Sequence, residues 1–371
     1  MSTEHTPASP LQDEHRALGA TFTDFAGWAM PLKYGSELAE HRAVREAAGL
    51  FDLSHMGEIH VTGPQSAEAL DFALVGEAAK ITVGRAKYSL MCDADGGVID
   101  DLVVYRLADD RFLVVANAAN APTVARELNS RAEQFDAHVD DQSTTTALIA
   151  VQGPVSEAIV RTLVPETQAE AVAALKYYAV TEAQVDGIDV LLARTGYTGE
   201  DGFELYVPNV HAVALWRSLL AATTEAGGLP AGLACRDTLR LEAGMALYGH
   251  ELSQDTNPYA AGLGKVVRLG KPFVGRDALQ QLSEKPADRV LVGLKGSTRR
   301  AARAGYTVHH NGDETAVGSV TSGALSPTLG YPIALAYLDA ALAEPGTVVQ
   351  VDIRGNKEQF EVTPAPFYRR N

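Results

Sequence analysis

The sequence predicts an α+β fold with antiparallel sheets that gives way to an antiparallel β-barrel in its last third. Three observations carry this. Up to Leu252, short alternating strands interleave with helical stretches and hairpin-sized turns, unlike the long regular crossovers of a parallel sheet. Beyond Leu252 nearly every segment reads as a short strand bounded by turn residues. The chain of 371 residues is long enough for two or three domains with sizeable cores.

The elements follow in order. SELAEHRAVREAAG reads as a helix, with Ser36 as cap, Glu37 at the positive end and Gly49 closing it. IHVTGPQSAEAL (Ile59 to Leu70) and IAVQGPVSEAIV (Ile149 to Val160) share a pattern of strand, Gly-Pro turn and helix. It places Pro64 and Pro154 in a first helical turn. Strands are expected at Arg111 to Ala116, Asp189 to Arg194 and Phe203 to Val207. A second helix falls within Val207 to Ala226, with Ala214, Leu215, Ser218 and Leu219 available for one face. SQDTNPYAAGLGK is a connector punctuated by Pro and Gly. The barrel strands are Val290 to Leu294, Tyr306 to His309, Ala316 to Thr321, Ile333 to Leu338, Val348 to Arg354 and Gln359 to Val362.

Composition excludes several classes. No apolar run approaches the length that crosses a bilayer. The N-terminal MSTEHTPASPLQDEH is polar, with no signal core or arginine-rich transit pattern, so the expected location is cytoplasmic. A formal net charge of −16 argues against general affinity for nucleic-acid phosphates. The two cysteines, Cys92 and Cys235, form no CxxC pair, and the ten histidines show no ligand spacing, so no metal is expected. One basic stretch runs against the overall charge. Between Asp288 and Asp313 there is no acid, while Arg289, Lys295, Arg299, Arg300 and Arg303 occur. It reads either as a solvated hairpin or as a docking surface for an acidic carrier or polyanionic tail. No dinucleotide fingerprint, P-loop or GxSxG elbow is present.

Chemistry is concentrated in a few segments. In GGVIDDLVVY a strand must send Asp100 and Asp101 to opposite faces. Asp100 goes with Leu102 and Val104, and Asp101 with Val103 and Tyr105. The second set carries a lone acid beside an aromatic ring, as a small-molecule pocket requires; equally, both acids suit turn amides. In RTGYTGEDGFELYV a glycine-rich loop enters a strand whose Phe203, Leu205 and Val207 face a core, leaving Glu204 and Tyr206 on the other side. A glutamate there can accept paired hydrogen bonds from an aminopyrimidine edge, and Tyr197 in the loop can cover a ring. Arg236 either pairs with Glu204, grips a ligand carbonyl, or joins Asp237, Arg240 and Glu242 in a structural ion network. KYSLMC supplies Tyr88, and VVANAAN supplies Asn117 on the next strand.

Taken together and in order, DFAGWAMPLKYGS, GLFDLSHMGE, KYSLMC, GGVIDDLVVY, NAAN, VQGP, RTGYTGEDGFE, RDTLRLEAGMALYG, TSGALSPTLG and the terminal PFY resemble the aminomethyltransferase (T-protein) family of the glycine cleavage system. The resemblance covers nearly the whole chain. It implies a three-domain cloverleaf folate-binding fold: a discontinuous domain of residues 1–57 plus 145–250, an inserted domain of 58–144, and a barrel of 251–371. It also implies tetrahydrofolate as co-substrate, with Asp101 catalytic and Tyr88, Tyr105, Asn117, Tyr197, Glu204 and Arg236 lining the folate pocket. The implied reaction moves the methylene carbon of an aminomethyl group on the lipoyl arm of the H-protein to tetrahydrofolate, releasing ammonia and dihydrolipoyl H-protein.

Two other readings share the superfamily. A standalone folate-dependent demethylase would need a pocket for a small free substrate. A folate-binding helper of iron–sulfur assembly would carry a KGCYxGQ-type loop, where this chain has RTGYTGED. Neither Asn311 to Thr315 nor Lys295 to Arg303 separates these readings. The complete run through LEAGMALYG and SPTLG favours the transferase.

Overall fold

The computed structural model describes residues 8–310 and 312–370. The N-terminal stretch through Pro7, together with Asn311 and Asn371, lies outside the described residues. The chain divides into two compact units. The first holds the described chain up to Leu70, then Glu77–Tyr88 and Leu102–Arg236; the second holds Asp71–Gly76, Ser89–Asp101 and the described chain from Asp237 onward.

In the first unit a six-stranded sheet runs in the order Val180–Val185, Ile188–Ala193, Gly202–Pro208, Thr146–Gln152, Gly49–Asp52, Leu229–Pro230. Its neighbours are antiparallel except the last pair, which is parallel. One face builds a core from Leu50, Ile149, Val151, Phe203, Leu205 and Val207, covered by Ile159 and Val160 of the helix Ser156–Leu163 and by Trp216. The expected inward set of the Phe203 strand is thus the observed one. A second sheet has the order Arg85–Cys92, Val98–Ala108, Arg111–Ala116, Gly57–Thr62, His138–Asp141.

Local readings hold with three corrections. The helix Glu37–Glu46 is capped by Ser36, whose side chain accepts from Ala39 N, but Gly49 does not close it. Gly49 opens the next strand instead, where an added Cβ would sit 2.4 Å from Val44 Cγ2; close packing is the reason for glycine there. Pro64 and Pro154 lie in turns just ahead of the helices Ser66–Ala73 and Ser156–Leu163. The bend is made by Gly63 (φ 115°) and Gly153 (φ 140°), in a region closed to other residues. The helix Asn209–Glu225 buries Ala212, Leu215, Trp216 and Leu219 rather than Ala214 and Ser218. The large indole decides the stripe, and Ser218 Oγ donates to Asp186 instead.

The second unit contains a closed barrel in the order Arg289–Gly296, Pro332–Asp339, Ala316–Leu325, Thr307–His309, Val348–Ile353, Asn356–Thr363, with the last strand pairing back to the first. All six expected strands are present, and every pair is antiparallel. Closure leaves no free edge. Leu294, Val308, Val320, Ala336, Val351 and Phe360 fill the interior.

Two sequence motifs of this unit meet as a polar brace. Glu242, from LEAGMALYG, accepts from Thr328 Oγ1 at 2.8 Å and Thr328 N at 3.1 Å, and also from Ser326 Oγ, both residues belonging to SPTLG. Nearby Arg240, 1% exposed, pairs with the buried Glu251 at 2.9 Å and donates to Ser322 Oγ at 2.6 Å. Removing one member of a buried pair strands the other's charge. Arg240→Ala is therefore expected to cost about 3–5 kcal/mol of unfolding free energy, measured by urea denaturation. Among the described residues no helix is long and apolar enough to cross a membrane.

Candidate functional site

The site is built on the strand Gly202–Pro208 and the loop before it. Arg194 clasps the loop's two ends: its Nε donates to Asp201 Oδ1 at 2.9 Å, and a terminal nitrogen reaches Glu157 at 2.9 Å. From the other side the almost fully buried Arg45 pairs with Glu200 at 2.8 Å and donates to the Thr198 carbonyl at 2.8 Å. Gln152 fills the loop interior, donating to the Thr195 carbonyl at 3.0 Å and accepting from Thr198 Oγ1 at 2.9 Å. A Cβ at Gly196 or Gly202 would lie within 2.2 Å of the Gln152 amide, so a larger residue at either would force that side chain out of the loop interior. A loop tied this way presents Tyr197 and Glu204 with little freedom.

Glu204 is the focus. Thr195 Oγ1 donates to its Oε2, and the Tyr105 hydroxyl lies 2.9 Å from Thr195 Oγ1 and 3.4 Å from the same carboxylate oxygen. The Tyr206 hydroxyl donates to Tyr105 at 3.2 Å. The hydroxyls therefore run in one direction, from Tyr206 through Tyr105 and Thr195 to the acid. Burial pushes both phenols well above their ordinary value, so they remain donors. Burial also raises the Glu204 carboxyl, opposed by the Thr195 bond, the charge of Arg236 and the Tyr105 bond. Its Oε1 carries no hydrogen bond among the described residues, and the residue is partly exposed.

Arg236 does not form the ion pair with Glu204 that the sequence allowed, nor does it join the Arg240 network. Its guanidinium lies over the Tyr197 ring, 4.8 Å from the centroid, and makes no ion pair among the described residues. A stacked guanidinium keeps its in-plane donors for something else. The first unit thus offers a carboxylate oxygen, a planar cation with unused donors and an aromatic face. That combination suits a flat heterocycle bearing both donor and acceptor edges.

The remaining expected residues are placed as follows. Asp100 is wholly buried with Leu102 and Val104, whereas Asp101 is partly exposed, as strand alternation requires. Asp101 falls in the second unit, where its charge and that of Asp100, after burial, raise the Tyr248 phenol. Tyr88 lies on the strand Arg85–Cys92 and is half-buried. Asn117 lies one residue past the strand Arg111–Ala116, not on it, and its carbonyl accepts from the Asn120 and Ala121 amides at 2.9 Å to start the helix Ala121–Ala132.

Thr195, Gln152 and Tyr206 were missed from sequence. Strand alternation, which sets Tyr206 on the side of Glu204, was a signal for Tyr206 alone. Two cations of the basic stretch meet acids on facing strands: Arg289 pairs with Asp339 at 2.8 Å and Arg300 with Glu358 at 3.1 Å, while Arg303 donates to the Gly323 carbonyl at 2.6 Å. Lys295 lies over the Tyr331 ring at 4.6 Å. Ser9, Asp52 and His15 also cluster, with His15 Nε2 2.7 Å from Asp52. Here Ser9 Oγ donates to the aspartate rather than to the imidazole, and all three are buried, so no nucleophile is activated. Among the described residues no group of three or more His, Cys, Asp or Glu could hold a metal ion.

Comparison with known proteins agrees with this architecture. The GCVT N-terminal domain family matches residues 11–271, and the glycine cleavage T-protein C-terminal barrel domain family matches residues 289–369. An aminomethyltransferase of Saccharopolyspora erythraea is 57% identical, with 98% of each chain covered. One of Streptomyces avermitilis is also 57% identical, with 100% of each covered. The crystal structure of the glycine cleavage system aminomethyltransferase T from Bartonella henselae superposes with a TM-score of 0.89 at 38% identity, covering 98% of each chain. An α+β region followed by a closed barrel, matched in that order by these two domains, defines an enzyme of the aminomethyl-transferring class. The chain belongs to the aminomethyltransferase (T-protein) family of the glycine cleavage system.

Proposed function

We propose that this chain transfers the methylene carbon of an aminomethyl group, borne on the lipoyl arm of an H-protein, to tetrahydrofolate, within cytoplasmic glycine catabolism. The observation that carries the folate assignment is that a half-satisfied carboxylate, Glu204, and the Tyr197-stacked guanidinium of Arg236 are offered together without bonding each other. The free Oε1 suits the aminopyrimidine donors of a pterin, and the guanidinium suits its carbonyl. Tyr105, Tyr88 and Asn117 complete the set assigned to the folate pocket.

Tetrahydrofolate supplies the nitrogens that receive the carbon. The protein's part is to bind, orient and bias charge. Asp101, on the strand that also carries Tyr105, is assigned the catalytic role: its carboxylate stabilises positive charge developing at the transferred carbon and accepts or relays a proton. Fixing the folate while the lipoyl arm is delivered removes much of the entropic barrier. Three domains, at 1–57 plus 145–250, 58–144 and 251–371, remain part of the proposal.

Ammonia release tests the function. Purified chain with aminomethylated H-protein is expected to release ammonia at a substantial rate only when tetrahydrofolate is present. One-carbon transfer to tetrahydrofolate from a small methylated amine, leaving the demethylated amine and needing no H-protein, would favour the demethylase instead.

A further inference from the structure

One buried acid beside this site has no part in the roles above. Glu58, in the strand Gly57–Thr62, is 0% exposed, and neither of its carboxyl oxygens has a hydrogen-bond partner among the described residues. Its backbone is in order, with the amide donating to Ser143 Oγ at 3.0 Å and the carbonyl accepting from Gln142 at 2.9 Å. Among the described residues no cation figures among the charges acting on it. On the neighbouring strands its cross-strand partner is the uncharged Val115, and Asp141 stands nearby. From the strand Gly202–Pro208 it meets the field of Glu204 and acts in turn on Tyr206. An isolated ionised carboxylate in such a place would be among the costliest groups a sheet can bury.

Glu204 has what Glu58 lacks: the Thr195 and Tyr105 hydroxyls, the Arg236 cation and partial exposure. Two nearby acids cannot both ionise cheaply, and the better-solvated one takes the charge. We propose that Glu58 and Glu204 work as a pair in which Glu58 keeps the proton and Glu204 carries the single negative charge. Burial, then the charges of Asp141 and Glu204, hold Glu58 well above the usual carboxylate range, whereas Glu204 is raised with three opposing influences. The ligand role rests on the folate reading of Glu204; the placement of the proton does not.

Infrared difference spectra at neutral pH test the proton directly. A protonated-carboxyl band is expected in the wild type, absent in Glu58→Gln and retained in Glu204→Gln. A band that survives Glu58→Gln, or disappears only in Glu204→Gln, overturns the proposal. Linkage supplies a second arm. Above the ordinary glutamate value of 4.5 the unfolded chain releases this proton, while the folded chain keeps it until its raised value is passed. Wild-type stability therefore falls across that window and Glu58→Gln is spared the fall. The Tm advantage of the variant should grow by several degrees between about pH 5 and about pH 8; parallel curves would contradict the assignment. Glu58→Gln is also expected to keep tetrahydrofolate affinity within about threefold, because glutamine is as neutral as the acid it replaces. A tenfold loss would mean that Glu58 is the ionised member. Unchanged affinity in Glu204→Gln with the infrared pattern intact would overturn the folate reading alone.

Discussion

Replacing Asp101 by asparagine is expected to lower kcat by about 10²–10⁴-fold while leaving tetrahydrofolate affinity within about threefold. Asparagine preserves shape but replaces one acceptor oxygen with a donor and removes the charge and the ability to accept a proton. An interaction felt mainly in the transition state then shows as a loss in kcat with little change in binding. Asp100→Asn is the informative neighbour, because Asp100 is buried on the opposite side of the strand. Its effect should fall on Tm, not on turnover of the folded enzyme. Single-turnover ammonia release with aminomethylated H-protein, beside folate titration, separates the two. An Asp101→Asn enzyme of near-normal rate would remove Asp101 from the chemistry.

Glu204→Ala is expected to weaken tetrahydrofolate binding by about ten- to a hundredfold, the worth of hydrogen bonds to a charged acceptor. The structure sharpens why. Truncation removes the acceptor for Thr195 Oγ1 and leaves the row of hydroxyls from Tyr206 through Tyr105 without its terminal charge. Arg236, stacked on Tyr197, also loses its nearby counter-charge. Calorimetric titration should show the loss in Kd, and saturating folate should restore much of the rate. A Kd equal to wild type would take Glu204 out of the folate site.

Much of the fold was legible because its signals are local. Strand alternation set Asp100 and Asp101 on different sides and sent Phe203, Leu205 and Val207 into a core, and both readings match the observed burial. The six barrel strands were readable from turn residues at short spacing. Errors arose where a residue answers to a distant partner. Gly49 looked like a helix stop, but Val44 packs against it and the chain there is a strand. The helix Asn209–Glu225 turned to bury Trp216, which a count of small residues could not anticipate.

The sequence alone determined the order of elements, the closing barrel and the carboxylates and tyrosines available for chemistry, since these follow from backbone periodicity and side-chain type. Only the tertiary structure decided how charges and protons are distributed among them. Strand register brings Asp339 to Arg289, while Glu358 reaches Arg300, so two of the five cations in a run without one acid in sequence meet carboxylates in space. Folding sets Arg236 on Tyr197 rather than against Glu204, and places Glu58 where no donor reaches it among the described residues. Electrostatic energy depends on separation in space and on local dielectric, and neither is written in the spacing of residues along a chain.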